Sequence, residues 1–147
     1  MLDRIERFKT PRDCEIFEKN AAERGRPDLA VAARQKAVRL RAEEYGAETT
    51  AERECLEAIF AYEQAISAKN GKKTRATRTW RMIQTHGILA ATERAVDRKA
   101  ETLGYNALVE MGLENYAFEA VILRHPASFS EEAISRAEAR IKTLKNA

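Results

Sequence analysis

Turn-forming residues, cysteines and long apolar runs are all scarce in this 147-residue chain. Six glycines and three prolines are too few for a turn-rich β fold, and abundant Ala, Glu, Arg and Lys favour helices. The two cysteines, Cys14 and Cys55, form no CxxC pair and fall among apolar residues on expected helices. They read as small buried hydrophobes in a reducing cytosol, not as a disulfide or metal site. No run of about 18 apolar residues exists, so no membrane span is expected and the protein reads as cytoplasmic. The opening MLDRIERFKT mixes acids with bases around no apolar stretch, unlike a signal peptide.

Catalytic signatures are missing as well. There is no HExxH, EF-hand loop, P-loop or GxGxxG. His86 and His125 lie far apart, each at the end of an expected helix, where capping is the simpler role. Glu110, Glu114 and Glu119 come nearest to an acidic cluster and read as solvated helix faces. Tyr62 and Glu63 could line a pocket, although Tyr62 also fits a core stripe. No catalytic residue, metal ligand or cofactor is expected, and an enzyme is the least favoured class.

The most informative scarcity is local. From Gln64 to Thr92 there is not one acid, yet Lys69, Lys72, Lys73, Arg75, Arg78 and Arg81 all fall there. The chain has 26 basic and 23 acidic residues, so outside this block 20 bases face 23 acids. The formal charge of +3 therefore comes from one stretch.

A chain this long can bury roughly 70% of its unfolded surface, which suits one domain over residues 1–147. The expected fold is all-α: seven or eight helices, short loops and an N-terminal αα-hairpin. Residues 1–9 form a lead-in or arm with Leu2, Ile5 and Phe8 on one side. Thr10-Pro11-Arg12-Asp13 opens a helix that carries Cys14, Phe17 and Ala21 inward and stops at Gly25. A second helix, 28–45, carries Leu29, Ala33, Ala37 and Leu40, with Val31, Val38 and Tyr45 on a neighbouring strip, and ends at Gly46. No second copy of this hairpin follows about 34 residues on, so no repeat array is indicated.

Thr49-Thr50-Ala51-Glu52 caps a third helix, with Cys55, Ile59, Tyr62 and Ile66 as its buried stripe, closed by Asn70-Gly71. After a loop, Thr74 or Thr77 caps a helix to His86, Gly87 breaks it, and another runs from Ile88 to about Lys99. Residues 100–104 read as a loop and 105–111 as a short helix ended by Gly112. The apolar run 115–123 reads as a helix because no partner strand is found. Ser128-Phe129-Ser130-Glu131 starts the last helix, with Ile134, Ala137, Ile141 and Leu144 inward.

Arginines near a helix N-terminus oppose its dipole, and a phosphate there would relieve the conflict. Thr74, Thr77 and Thr79 add hydroxyl donors of the kind that meet phosphate oxygens. The expectation is a phosphate-gripping loop and helix that docks DNA or RNA through Lys69, Lys72, Lys73, Thr74, Arg75, Thr77, Arg78 and Arg81. The plainer reading is a solvated loop, paired with acids such as Glu43 or Glu44. Trp80 could stack on a base, but Ile83 three residues on marks it as a core anchor. Residues 77–96 have the outline of a helix-turn-helix, with Gly87 in the turn and Thr92, Glu93 and Arg94 as the base-reading candidates; Ile83 is bulky for that motif. The alternative is a helical protein-interaction or adaptor module with no nucleic-acid role, binding through the Ala-rich second helix or the Ile/Leu stripe of the last. A homo-oligomer would suit a nucleic-acid binder by doubling the patch.

Overall fold

The computed structural model describes residues 1–98 and 102–146. Among these are nine α-helices, two 3-10 turns and no strand, so the fold is all-α. The chain gathers into two compact units, Met1–Gly46 and Ala47–Ala147. No helix among the described residues is long and apolar enough to cross a membrane.

The first unit holds α1 (Leu2–Glu6), α2 (Pro11–Glu23) and α3 (Pro27–Tyr45). The lead-in is packed: Ile5 is 1% exposed and joins Phe17, Ala21, Leu29, Ala30 and Ala33 in one cluster, with Phe8 against it. Leu2 points to solvent. Thr10 Oγ1 accepts the Asp13 N–H at 3.2 Å and starts α2. At its end Gly25 takes φ +70°, Arg26 N–H reaches Ala21 O at 2.8 Å and Gly25 N–H reaches Ala22 O at 3.2 Å. That double bond satisfies the last carbonyls and turns the chain into α3. The hairpin is antiparallel, and charged pairs fix its register: Arg34 Nε donates to Glu18 at 2.9 Å, and Arg41 pairs with Glu15. Alanines 30, 33, 37 and 42 bury on α3 and let helices approach closely. Tyr45 lies past the last buried position and is half exposed, not inward.

The second unit holds α4 (Thr50–Asn70), α5 (Thr77–His86), α6 (Ile88–Val96), α7 (Thr102–Glu110), α8 (Phe118–Arg124) and α9 (Glu131–Lys145). α4 is its hub, packed against α6, α7 and α8. Thr49 Oγ1 accepts from Glu52 N–H at 3.1 Å, which caps the start of α4, and donates to the Glu52 carboxylate at 3.2 Å. Cys55 and Ile59 are buried as the stripe requires, whereas Tyr62 and Ile66 are only half-buried. The inner positions at that end belong to Ala61 and Ala65, because small side chains admit neighbouring backbones where Tyr and Ile would hold them off. Cys55, Ala58, Val96, Val121, Ile122, Phe129, Ala133 and Ala137 form one core cluster.

Three boundaries differ from the sequence reading. Thr102 to Gly104 belong to α7, since its helical register extends a turn earlier; Ala100 and Glu101 lie outside the described residues, as does Lys99 at the expected end of α6. The run 115–123 divides into a 3-10 turn, Glu114–Tyr116, and α8, because Ala117 adopts an extended ψ of 146°. Glu119 is not on a solvated face. It is 5% exposed and accepts a 2.7 Å bond from Arg140 Nε. α9 starts at Ser130, whose Oγ accepts from Ala133 N–H at 3.1 Å.

Candidate nucleic-acid interface

The basic block spans the last turn of α4, a short loop and the first turns of α5. Asn70-Gly71 closes α4, with Gly71 in the left-handed region at φ +69°. Glu63, Ser67 and Asn70 follow at i, i+4 and i+7, so they share one face of α4. All three grasp the returning chain. Asn70 Nδ2 donates to Thr74 Oγ1 at 3.2 Å. Ser67 Oγ accepts Thr74 N–H at 2.8 Å and donates back to Thr74 O at 3.1 Å. Glu63 Oε2 accepts both Ala76 N–H at 2.8 Å and Trp80 Nε1–H at 2.7 Å. The loop is thus laced to the helix it leaves.

This lacing corrects several expectations. Neither Thr74 nor Thr77 caps α5. Ala76 holds the N-cap position with no side-chain cap, and Glu63 brings its carboxylate to that end instead. The anion expected at the helix start is therefore the chain's own. Thr74 is not a free phosphate donor, since its hydroxyl donates to Lys72 O at 3.0 Å. Arg75 is paired: its Nε lies 3.8 Å from Glu63 Oε2 and its guanidinium sits 5.7 Å from the centre of the Trp80 ring. Thr79 faces inward at 6% exposure and is unavailable to an outside ligand. Trp80 is half-buried against Phe60, ring centres 5.3 Å apart, which makes it an anchor.

The other cations fare differently. Lys69, Lys72, Lys73, Arg78 and Arg81 are exposed and pair with no acid among the described residues. Some cations elsewhere in the same unit are paired, as in Arg124–Glu54 at 2.8 Å and Arg136–Asp97 at 3.1 Å. On α5 the exposed positions Thr77, Arg78, Arg81, Gln84 and Thr85 recur at helical spacing, so the two arginines lie on one outward strip. Lys72 and Lys73 project from the loop that leads into it.

The helix-turn-helix outline is not met. α5 and α6 are joined by Gly87 alone, at φ +89°, where that motif needs a turn of three or four residues. Thr92 is buried and donates to Ile88 O at 3.1 Å, while Glu93 caps α9 through Ser130 N–H at 2.9 Å. Of the three base-reading candidates only Arg94 is exposed.

Glu63 is the participant that the charge pattern hides. It is the last acid before the acid-free window, and its helical spacing to Ser67 is the signal that marks it as facing the loop. Elsewhere, burial pushes the Cys55 thiol up to about 11, against a smaller opposing effect of its hydrogen bond with Thr92, so it is no nucleophile near neutrality. Among the described residues no three His, Cys, Asp or Glu side chains gather closely enough to hold a metal ion. No family model, curated protein or solved structure matches the chain.

Proposed function

We propose that the protein binds DNA or RNA through the phosphate backbone, with Lys69, Lys72, Lys73, Arg78 and Arg81 as its contacts. The observation that carries this reading is that these five cations are exposed and have no acid partner among the described residues, while the loop beneath them is fixed by side-chain bonds. A polyanion meeting fixed cations loses less ordering entropy than one meeting a floppy loop. Arg75 is a reserve contact. Its link to Glu63 is long and its side chain is 66% exposed, so the pair contributes only about 0–1 kcal/mol and a phosphate can take its place. Buried, unpaired cysteines suit a cytoplasmic setting.

The test is a salt titration of binding to a 20-base-pair duplex and a 20-nucleotide single strand. Five phosphate contacts give a slope of log affinity against log salt of about −4 to −5 on duplex. The double variant Arg78→Ala, Arg81→Ala makes that slope shallower by about 2. An unaltered slope refutes the assignment. The adaptor alternative has less support, since the faces it would use are turned inward: Ala33, Ala37 and Leu40 on α3 and Ala137 and Leu144 on α9 are buried. Pull-down with and without nuclease separates the two readings.

A further inference from the structure

The buried residues of α5 fix which way the helix faces. Thr79 and Ile83 are buried, and Arg81 lies about 160° from each of them around the helix axis. Arg81 therefore stands at the middle of the outward face. Thr77 and Arg78 precede it by four and three residues, and Gln84 and Thr85 follow by three and four. All five are exposed and share one arc about 120° wide. His86, also exposed, lies off that arc.

The arc holds no acid and no apolar side chain, and none of its five side chains bonds to a described residue. Solvated helix faces ordinarily mix charges a turn apart, as α4 does with Arg53 and Glu57 and α9 with Arg136 and Glu132. α5 packs chiefly on α6, whose one acid, Glu93, is bound to Ser130. Neither helix thus presents an unengaged acid. Arg, Gln and Thr are the side chains that read base edges: Arg grips guanine O6 and N7, Gln grips adenine N6 and N7, and Thr meets several edges.

The forms of nucleic acid differ in how they would fit this face. Single strands are held by stacking on aromatic side chains. Trp80 is half-buried against Phe60, and the exposed residues from Lys69 to His86 include no other aromatic. The major groove of an RNA duplex is too narrow for side chains to read. That of B-form DNA, about 12 Å wide, admits an α-helix. α5 has ten residues and so is about 15 Å long.

We propose that α5 lies in the major groove of B-form DNA, with Arg81 and Gln84 on base edges and Lys72, Lys73 and Arg78 on the flanking phosphates. This rests on the polyanion binding proposed above and narrows it to a duplex read by sequence. Arg81 and Gln84 are about 4.5 Å apart along the helix axis, near the base-pair rise of about 3.4 Å, so they reach a guanine and an adenine within about two base pairs of each other. On arbitrary sequence Arg81 rests on phosphate, and on the preferred sequence it moves to the guanine.

The test measures binding of the full chain, by fluorescence anisotropy, to a pool of DNA duplexes with random central base pairs, to the same pool as RNA duplexes, and to the DNA single strands. The DNA duplexes are expected to bind about tenfold more tightly than either other form. Repeated selection should enrich guanine with a nearby adenine, and the enriched duplex should bind about tenfold or more above the pool. Its salt slope should be shallower by about 1, because Arg81 has left a phosphate. Methyl green, a major-groove ligand, should displace the protein and netropsin, a minor-groove ligand, should not. Gln84→Ala should reduce the preference for the enriched duplex about tenfold without altering the salt slope, since glutamine carries no charge. The groove assignment is overturned if the three forms bind alike, if selection enriches no sequence, or if netropsin alone displaces the protein. In those cases a steep salt slope leaves the phosphate contacts standing, whereas a flat slope on every form removes both proposals.

Discussion

A single carboxylate, Glu63, holds the entry to α5. Its two short bonds, to Ala76 N–H and Trp80 Nε1–H, are charge-assisted and part-buried, and such bonds contribute more than neutral ones. Its contact with exposed Arg75 contributes little. Removing the side chain strands one buried backbone donor and one indole donor. Glu63→Ala is therefore expected to lower unfolding stability by about 2–4 kcal/mol, and Glu63→Gln, which keeps an acceptor, by about 1 kcal/mol. Urea denaturation measures both, and Trp80, the only tryptophan, reports from the site itself. Equal losses in the two variants would show that charge, not the acceptor oxygen, is what matters.

Glu54 supplies a pH dependence at the same scale. Burial alone would raise its carboxyl, but the hydrogen bond and charge of Arg124 and the close approach of His125 outweigh burial and hold it below its ordinary value. Arg124 Nε donates to Oε1 at 2.8 Å, and His125 Nε2 is 3.0 Å from Oε2. A carboxyl with a lowered folded value stabilises the fold above its unfolded value, and that stability is lost as pH falls through the folded one. The melting temperature should drop between about pH 5 and pH 3, and Glu54→Gln should drop less across that window while melting lower at pH 7. Parallel curves for the two proteins would remove this carboxylate from the account.

At the scale of elements, the loop between α4 and α5 combines two separable properties, charge and order. Ser67 contributes only to order, through its paired bonds with Thr74 N–H and O. Under the proposed polyanion binding, Ser67→Ala should weaken duplex binding about three- to tenfold by adding the cost of fixing the loop, and leave the salt slope as it was. A slope that falls with Ser67→Ala would mean that the loop's shape sets how many phosphates are reached. This loop also marks where the sequence is readable. The threonine N-caps at Thr10 and Thr49, the glycines after α2, α3 and α4, and the Cys55–Ile59 stripe are all local patterns of one or two turns, and the structure has each of them. The lacing of residues 74–80 onto Glu63 and Ser67 is a contact between segments, and acid counting by position along the chain cannot register an acid that returns through space.

For the whole molecule, charge is unevenly divided. In the unit from Ala47 on, nine basic residues outside the block face fourteen acidic ones, so the block's six cations sit on a body of opposite net sign. Such a body has a strong charge asymmetry, and in low salt it turns toward a polyanion before contact. The asymmetry acts over about a Debye length, roughly 10 Å at 0.1 M salt, which is short enough for added salt to abolish it. Reversing two loop-tip charges, with Lys72→Glu and Lys73→Glu, shrinks the asymmetry and leaves the Glu63 and Ser67 anchors untouched. Stopped-flow measurement of association with the 20-base-pair duplex should show the rate constant falling tenfold or more, on the order of the steering contribution, at about 20 mM salt and by little at 0.5 M. Under the proposed binding, dissociation should change less than association, because Arg78 and Arg81 remain as contacts to the bound strand. A loss confined to the dissociation rate would mean that the lysines act as contacts and do not guide encounter.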